Sequence, residues 1–130
     1  MPIHEFRSGP GARILTVDGI SDSAIAALQG MERSARRDYK QVIARFQRLV
    51  DYGPSARRPW FKRLEDAEDL RQLSYNQHRF LLIPHPRIER TFVLLSYFPK
   101  SASRTPPHEV RKGLRLKREC LPILESEETT

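Results

Sequence analysis

The sequence has one cysteine, Cys120, and no Cys/His grouping at metal-ligand spacing, so an internal disulfide framework and a zinc module are both unsupported. Long apolar runs are missing too: no stretch of about 18 apolar residues occurs, and the opening MPIHEFRSGPGAR has no hydrophobic segment behind a basic start. These absences argue against a membrane span or a secretory leader and make cytoplasmic the default expectation. There is no glycine-rich phosphate loop, HExxH, nucleophile elbow or acidic metal cluster, which leaves the familiar motif-bearing enzyme classes without support and implies no cofactor. Acidic charge is the minority: 23 Lys and Arg face 16 Asp and Glu, a formal net charge of +7 over 130 residues. A small chain this basic favours polyanionic partners, and 38% hydrophobic residues suffice for one core, read as a single domain spanning 1–130.

Local patterns order the chain. Residues 1–12, with Pro2, Gly9, Pro10 and Gly11, read as a loose lead-in to a short strand at 13–17. Ser21, Asp22 and Ser23 can cap a short helix over 24–28 that Gly30 ends. From Ser34, the residues Ala35, Tyr39, Val42, Ile43, Phe46, Leu49 and Val50 recur at spacings of three and four, predicting a helix over 34–51 with Arg36, Arg37, Lys40, Arg45 and Arg48 opposite. Residues 53–63 read as a basic connector. Extended runs follow at 70–74, 79–83 and 91–98, with Asn76-Gln77 as a turn, suggesting an antiparallel meander. Thr105-Pro106-Pro107 signals a helix start, with Thr105 as cap and Pro106 in the first turn, reaching about Leu121. The acidic 122–130 reads as a frayed tail. The expected class is α+β, an antiparallel sheet with helices packed on one face and a C-terminal helix.

The chemistry this pattern offers is cationic. Arg71, Arg79, Lys100, Arg104 and His108 lie on or just beyond the meander strands and at the last helix start, and that helix carries further basic residues including Arg111. Gathered at one edge, they can hold a phosphodiester backbone and neutralise charge developing on a reacting phosphate. RNA brings its own nucleophile, the 2′-hydroxyl, so cleavage needs orientation, charge stabilisation and proton transfer. The plainer alternative is that arginines on strands are solvated or ion-paired. His108, third after Thr105, suits either proton transfer or a helix-terminus role. His4, His78 and His85 read as surface histidines; Tyr75 and Tyr97 can stack a base or sit in the core.

The run from Ala35 to about Cys120 resembles the phage-derived, HigB-like branch of the RelE superfamily, toxins of bacterial type II toxin–antitoxin systems. The resemblance rests on LVDYGPSARRP, FKRLEDAEDLRQL, HRFLLI and TFVLLSYFPKSASRTPPHEVRKGLRLKRE, with Leu70-Arg71, Arg79, Phe98-Pro99-Lys100 and Thr105-Pro106 at the matching positions. It implies a RelE-like fold and a metal-independent endoribonuclease (mRNA interferase) cleaving messenger RNA at the ribosome. A small antitoxin, expected to be of helix-turn-helix type, would neutralise it. Arg79, Lys100 and His108 are then the candidate catalytic residues, and Arg71, Arg104 and Arg111 bind RNA. This chain departs from the pattern at Ser101, where relatives often have a second lysine, and at His78, where they commonly have an aromatic residue. A non-catalytic nucleic-acid-binding module and a phage accessory protein are the alternative readings.

Overall fold

The computed structural model describes residues 2–54, 58–65, 67–100 and 104–127. Six strands and three helices follow in the order β1 (Ile3–Ser8), β2 (Arg13–Val17), α1 (Asp22–Ser34), α2 (Arg36–Tyr52), β3 (Phe61–Arg63), β4 (Arg71–Tyr75), β5 (His78–Pro84), β6 (Thr91–Pro99) and α3 (Pro107–Glu127). The fold is α+β. All strands join one sheet in the order β1-β2-β6-β5-β4-β3.

The expected meander is present, with β4–β5 and β5–β6 antiparallel, but the sheet is mixed because β2 pairs with β6 in parallel. Helices also cover both faces rather than one. Strands β5 and β6 are apolar at nearly every position, so both faces need covering. Phe80, Leu82, Phe92 and Leu94 pack with Leu28, Val42, Phe46 and Leu49 of α1 and α2. The alternating Leu81, Ile83, Val93 and Leu95 pack with Leu116, Cys120 and Leu124 of α3. Close approach of α3 depends on Gly113, where a Cβ would stand 2.9 Å from Leu81 Cδ1 and 3.1 Å from Leu70 Cδ1.

The supposed lead-in is strand β1, paired antiparallel with β2. Its Phe6 stands edge-on to Phe46 at 5.2 Å, which supplies apolar anchorage that the Gly/Pro content of the segment conceals. The turn after it lies against the end of α2, where the Gly11 and Ala12 amides both donate to the Val50 carbonyl, at 2.7 and 2.9 Å. Helix α1 runs through Gly30 to Ser34, because Gly30 faces open space while Leu28 and Met31 on either side are buried. Ser21 makes no side-chain cap; its hydroxyl donates to the Leu94 carbonyl and accepts from the Val17 amide, tying α1 to β6. Thr105 is likewise no cap. Its hydroxyl donates to Gln72 Oε1 at 2.8 Å, and α3 starts at Pro107, with the Pro106 carbonyl accepting from Glu109 and Val110. Residues 122–127, read as tail, continue α3, held by buried Leu124; the remainder of 122–130 lies outside the described residues. Among the described residues, no helix is long and apolar enough to cross a membrane.

Candidate nucleic-acid interface

The hairpin joining β4 and β5 turns at Asn76, whose φ of 50° is left-handed and suits an Asn better than most side chains. The register Tyr75↔His78 and Ser74↔Arg79 follows from this two-residue turn, and β6 continues it with Arg79↔Phe98. Phe98 belongs to the α3-side core, so Arg79, directly across from it, rises on the α3 face. Lys100 follows β6 and is tied to the same turn by its amide, which donates to the Gln77 carbonyl at 2.7 Å.

Beside this end of the sheet, a cleft of about 610 Å³ is lined by Lys62, Arg63, Leu64, Glu65, Lys100, Arg104, Thr105 and Val110. Lys62 reaches it from the edge strand β3, opposite Gln72 of β4, and Thr105 closes the rim through its bond to Gln72. Among the described lining residues, Lys62, Arg63, Lys100 and Arg104 face the single carboxylate of Glu65, and Arg63 is itself 4.0 Å from Asp69. The Lys100 ammonium is held below the usual lysine pKa, first by partial desolvation and then by the positive fields of Arg79 and Lys62. Burial also lowers the pKa of Arg79, whose guanidinium stays charged at any physiological pH. Arg79 Nη1 donates to the carbonyls of Asn76 and His78, the latter at 2.9 Å, while its buried Nε has no partner among the described residues. Like charges held together in this way disfavour one another until an anion arrives, which is the electrostatic condition for binding a phosphate.

The structure therefore brings together Arg79, Lys100 and Arg104 and adds Lys62, which the sequence reading missed inside an apparently aperiodic connector. Three other candidates stand apart. Arg71 is in register with Leu82, a residue of the α1/α2-side core, so strand alternation turns it to the other face. There it donates to the Asp69 carbonyl at 2.7 Å; burial lowers its pKa, against the raising field of Asp69 and with the lowering field of Arg63. His108 is exposed, with Nε2 3.4 Å from the Glu109 carboxylate, and does not line the cleft. Arg111 is exposed on α3 and does not line it either. Ser101 lies outside the described residues.

Of the three histidines read as plain surface residues, His4 is exposed as expected, whereas His78 and His85 are buried. His78 is buried, with Nε2 2.9 Å from Asp38 Oδ2 of α2 and Nδ1 2.7 Å from the Tyr97 hydroxyl of β6. A carboxylate can only accept, so in the neutral imidazole Nε2 carries the hydrogen and Nδ1 accepts from Tyr97. Burial, and then the negative field of Asp38, raises the Tyr97 pKa, so this phenol keeps its proton. Three elements contribute one residue each, and no sequence spacing reports such a set. Buried His85 accepts at Nδ1 from the Arg87 and Ile88 amides, both at 3.1 Å, shaping the β5–β6 loop. His4, on β1, meets Asp18 at 3.1 Å.

Among the described residues there is no group of three or more His, Cys, Asp or Glu side chains placed to hold a metal ion. Burial pushes the Cys120 thiol pKa up to about 11, leaving it a core residue on the buried face of α3. No protein-family model matches the chain, and no curated protein matches it in sequence.

Proposed function

We propose that this chain is a RelE/HigB-like toxin that binds RNA in the cleft lined by Lys62, Lys100 and Arg104, with Arg79 beside Lys100, and cleaves it as an mRNA interferase. The observation that carries the reading is the convergence of cations at one end of the sheet, where desolvation and then the fields of Arg79 and Lys62 hold Lys100 below its usual pKa. In the proposed step the RNA 2′-oxygen bonds to phosphorus as the phosphorus–5′-oxygen bond breaks, leaving a 2′,3′-cyclic phosphate and a 5′-hydroxyl. The 2′-hydroxyl gives up its proton to water and the leaving oxygen gains one from Lys100. Arg79 and Lys100 stabilise the charge accumulating on the phosphoryl oxygens, and Lys100, with its lowered pKa, is the cleft's readiest proton donor. His108, outside the cleft, enters this scheme only through its test below.

The partner in this reading is a small antitoxin that lays acidic or apolar side chains over the cleft. A second reading, a non-catalytic nucleic-acid-binding module, draws on one observation: the cleft lining contains no histidine, so it offers charge without an imidazole. Induced expression with primer-extension mapping of transcript ends tests the toxin reading. New 5′ ends that vanish in Arg79→Ala and Lys100→Ala support it; retained RNA binding with intact transcripts in a translation extract replaces it with the module.

A further inference from the structure

On the α1/α2 side of the β3 edge, arginine and aromatic side chains alternate. Arg58 lies over Tyr52 at 5.5 Å and over Trp60 at 5.4 Å; Arg45 lies over Trp60 at 5.7 Å and over Tyr75 at 5.0 Å. The arrangement is anchored by backbone bonds. Phe61 N–H donates to the Arg58 carbonyl at 3.2 Å, and Ser74 N–H to the Trp60 carbonyl at 2.8 Å, so a tight turn presents Arg58 and Trp60 together. Two features here are unexplained by folding. Tyr52 is 66% exposed although large and aromatic, and the buried Nε of Arg58 has no hydrogen-bond partner among the described residues.

We propose that Tyr52, Arg58 and Trp60 form a base-stacking subsite for single-stranded RNA, continuous around the β3 edge with the cationic cleft. This rests on the reading that the cleft holds RNA. Trp60 is two residues from Lys62, at most ~7 Å along the chain, and Lys62 lines the cleft. A strand whose phosphate sits at Lys62 and Lys100 reaches the ladder within a few nucleotides. The exposed Tyr52 ring offers a base a stacking face, and the Arg58 guanidinium offers donors to the neighbouring phosphate. An acidic peptide would use the arginines but leave the Tyr52 ring without a role. A duplex keeps its bases stacked on each other and unavailable to the ring. The fit is therefore to unpaired nucleotides flanking the cleft.

Trp60 is the only tryptophan in the chain, so its fluorescence reports on the ladder directly. Full-length protein is titrated with a 2′-O-methyl oligouridylate ten-mer, which cannot be cleaved through its 2′-oxygen, and with an abasic ten-mer that keeps the phosphates and lacks the bases. The expected results are a change in Trp60 emission with the uridylate and a roughly 5- to 100-fold loss of affinity in Tyr52→Ala, the scale of one lost stacking contact. Tyr52→Phe should restore binding, and affinity for the abasic strand should not depend on Tyr52. Wild-type affinity in Tyr52→Ala, or an equal loss on the abasic strand, overturns the subsite. So does polyglutamate that binds with the same dependence on Tyr52, which would assign the surface to an acidic protein partner. Lys100→Ala on the same ten-mers separates the two readings. If Lys100→Ala weakens binding and Tyr52→Ala does not, the subsite alone falls; the reverse removes the cleft reading and leaves a stacking surface of its own.

Discussion

Residues 78 and 79 are neighbours in sequence, yet they stand in opposite environments. On the α1/α2 face, His78 is buried and both ring nitrogens are engaged, by Asp38 and by Tyr97. On the α3 face, Arg79 has no partner for its Nε among the described residues and lies close enough to Lys100 to depress that residue's pKa. Strand alternation creates the separation. One face of the hairpin links side chain to side chain across three elements, and the other bonds Arg79 only to backbone carbonyls beside it and sets like charge next to it. Stability and binding are thus expected to respond to different residues one position apart.

That contrast breaks most visibly in the cleft. Arg79→Ala and Lys100→Ala should each lower RNA cleavage by about 10²–10³-fold, the scale for losing one preorganised charge-stabilising donor. The melting temperature should move little, since both cations are only half-buried at the edge of the fold, where a charged side chain contributes about 0–1 kcal/mol. Across the sheet, His78→Ala should do the opposite. It strips Asp38 and Tyr97 of their shared partner, and urea unfolding should show a loss of about 2–3 kcal/mol, with a smaller effect on cleavage than either cleft variant. Equal catalytic loss in all three would erase the distinction between the faces. His108→Ala sharpens the same comparison: lost cleavage at unchanged melting temperature would bring His108 into the chemistry, and unchanged cleavage would leave it a surface residue.

Smaller effects refine the boundary of the cleft. Gly113→Ala forces a methyl against Leu81 and Leu70 and should cost about 1–2 kcal/mol in chemical denaturation, since both contacts are with side-chain tips that can shift. The Lys100 prediction concerns pH. Its pKa in the free protein is lowered, and a bound phosphate would raise it, because the charged form is the one that binds. RNA affinity is then complete below the free-protein value and declines as pH rises through it, earlier than for an ordinary lysine. Lys100→Arg should flatten this decline in a binding titration taken from neutral into alkaline pH.

Legibility in the sequence followed the length and density of pattern. Thr91–Pro99 and Arg36–Tyr52 each carry enough apolar residues at one period to define an element. Phe61–Arg63 is three residues long, too short for any period, and its Lys62 went unnoticed with it. Ile3–Ser8 was hidden because its strand character comes from pairing with β2 and from Phe6 on Phe46. Arg79 and Lys100 could be grouped from sequence because they flank one hairpin. Arg71 could not be separated from them, since its face depends on register with Leu82 rather than on residue type. The Asp38–His78–Tyr97 set was beyond reach, assembled from a helix and two strands whose relative placement only the tertiary fold defines.

The parallel pairing of β2 with β6 has a bearing on how the chain is made. Arg13, Ile14 and Leu15 find their strand partners only at Thr91, Phe92 and Val93, so the N-terminal hairpin cannot join the sheet until most of the polypeptide has been synthesised. Until then the apolar stripes of α1 and α2 lack the β6 half of their floor. Late closure by a sequence-distant contact is slow compared with local helix formation. A nascent chain stalled short of residue 91 would therefore expose the aromatic core around Phe46 and be the form most prone to aggregation or capture by chaperones.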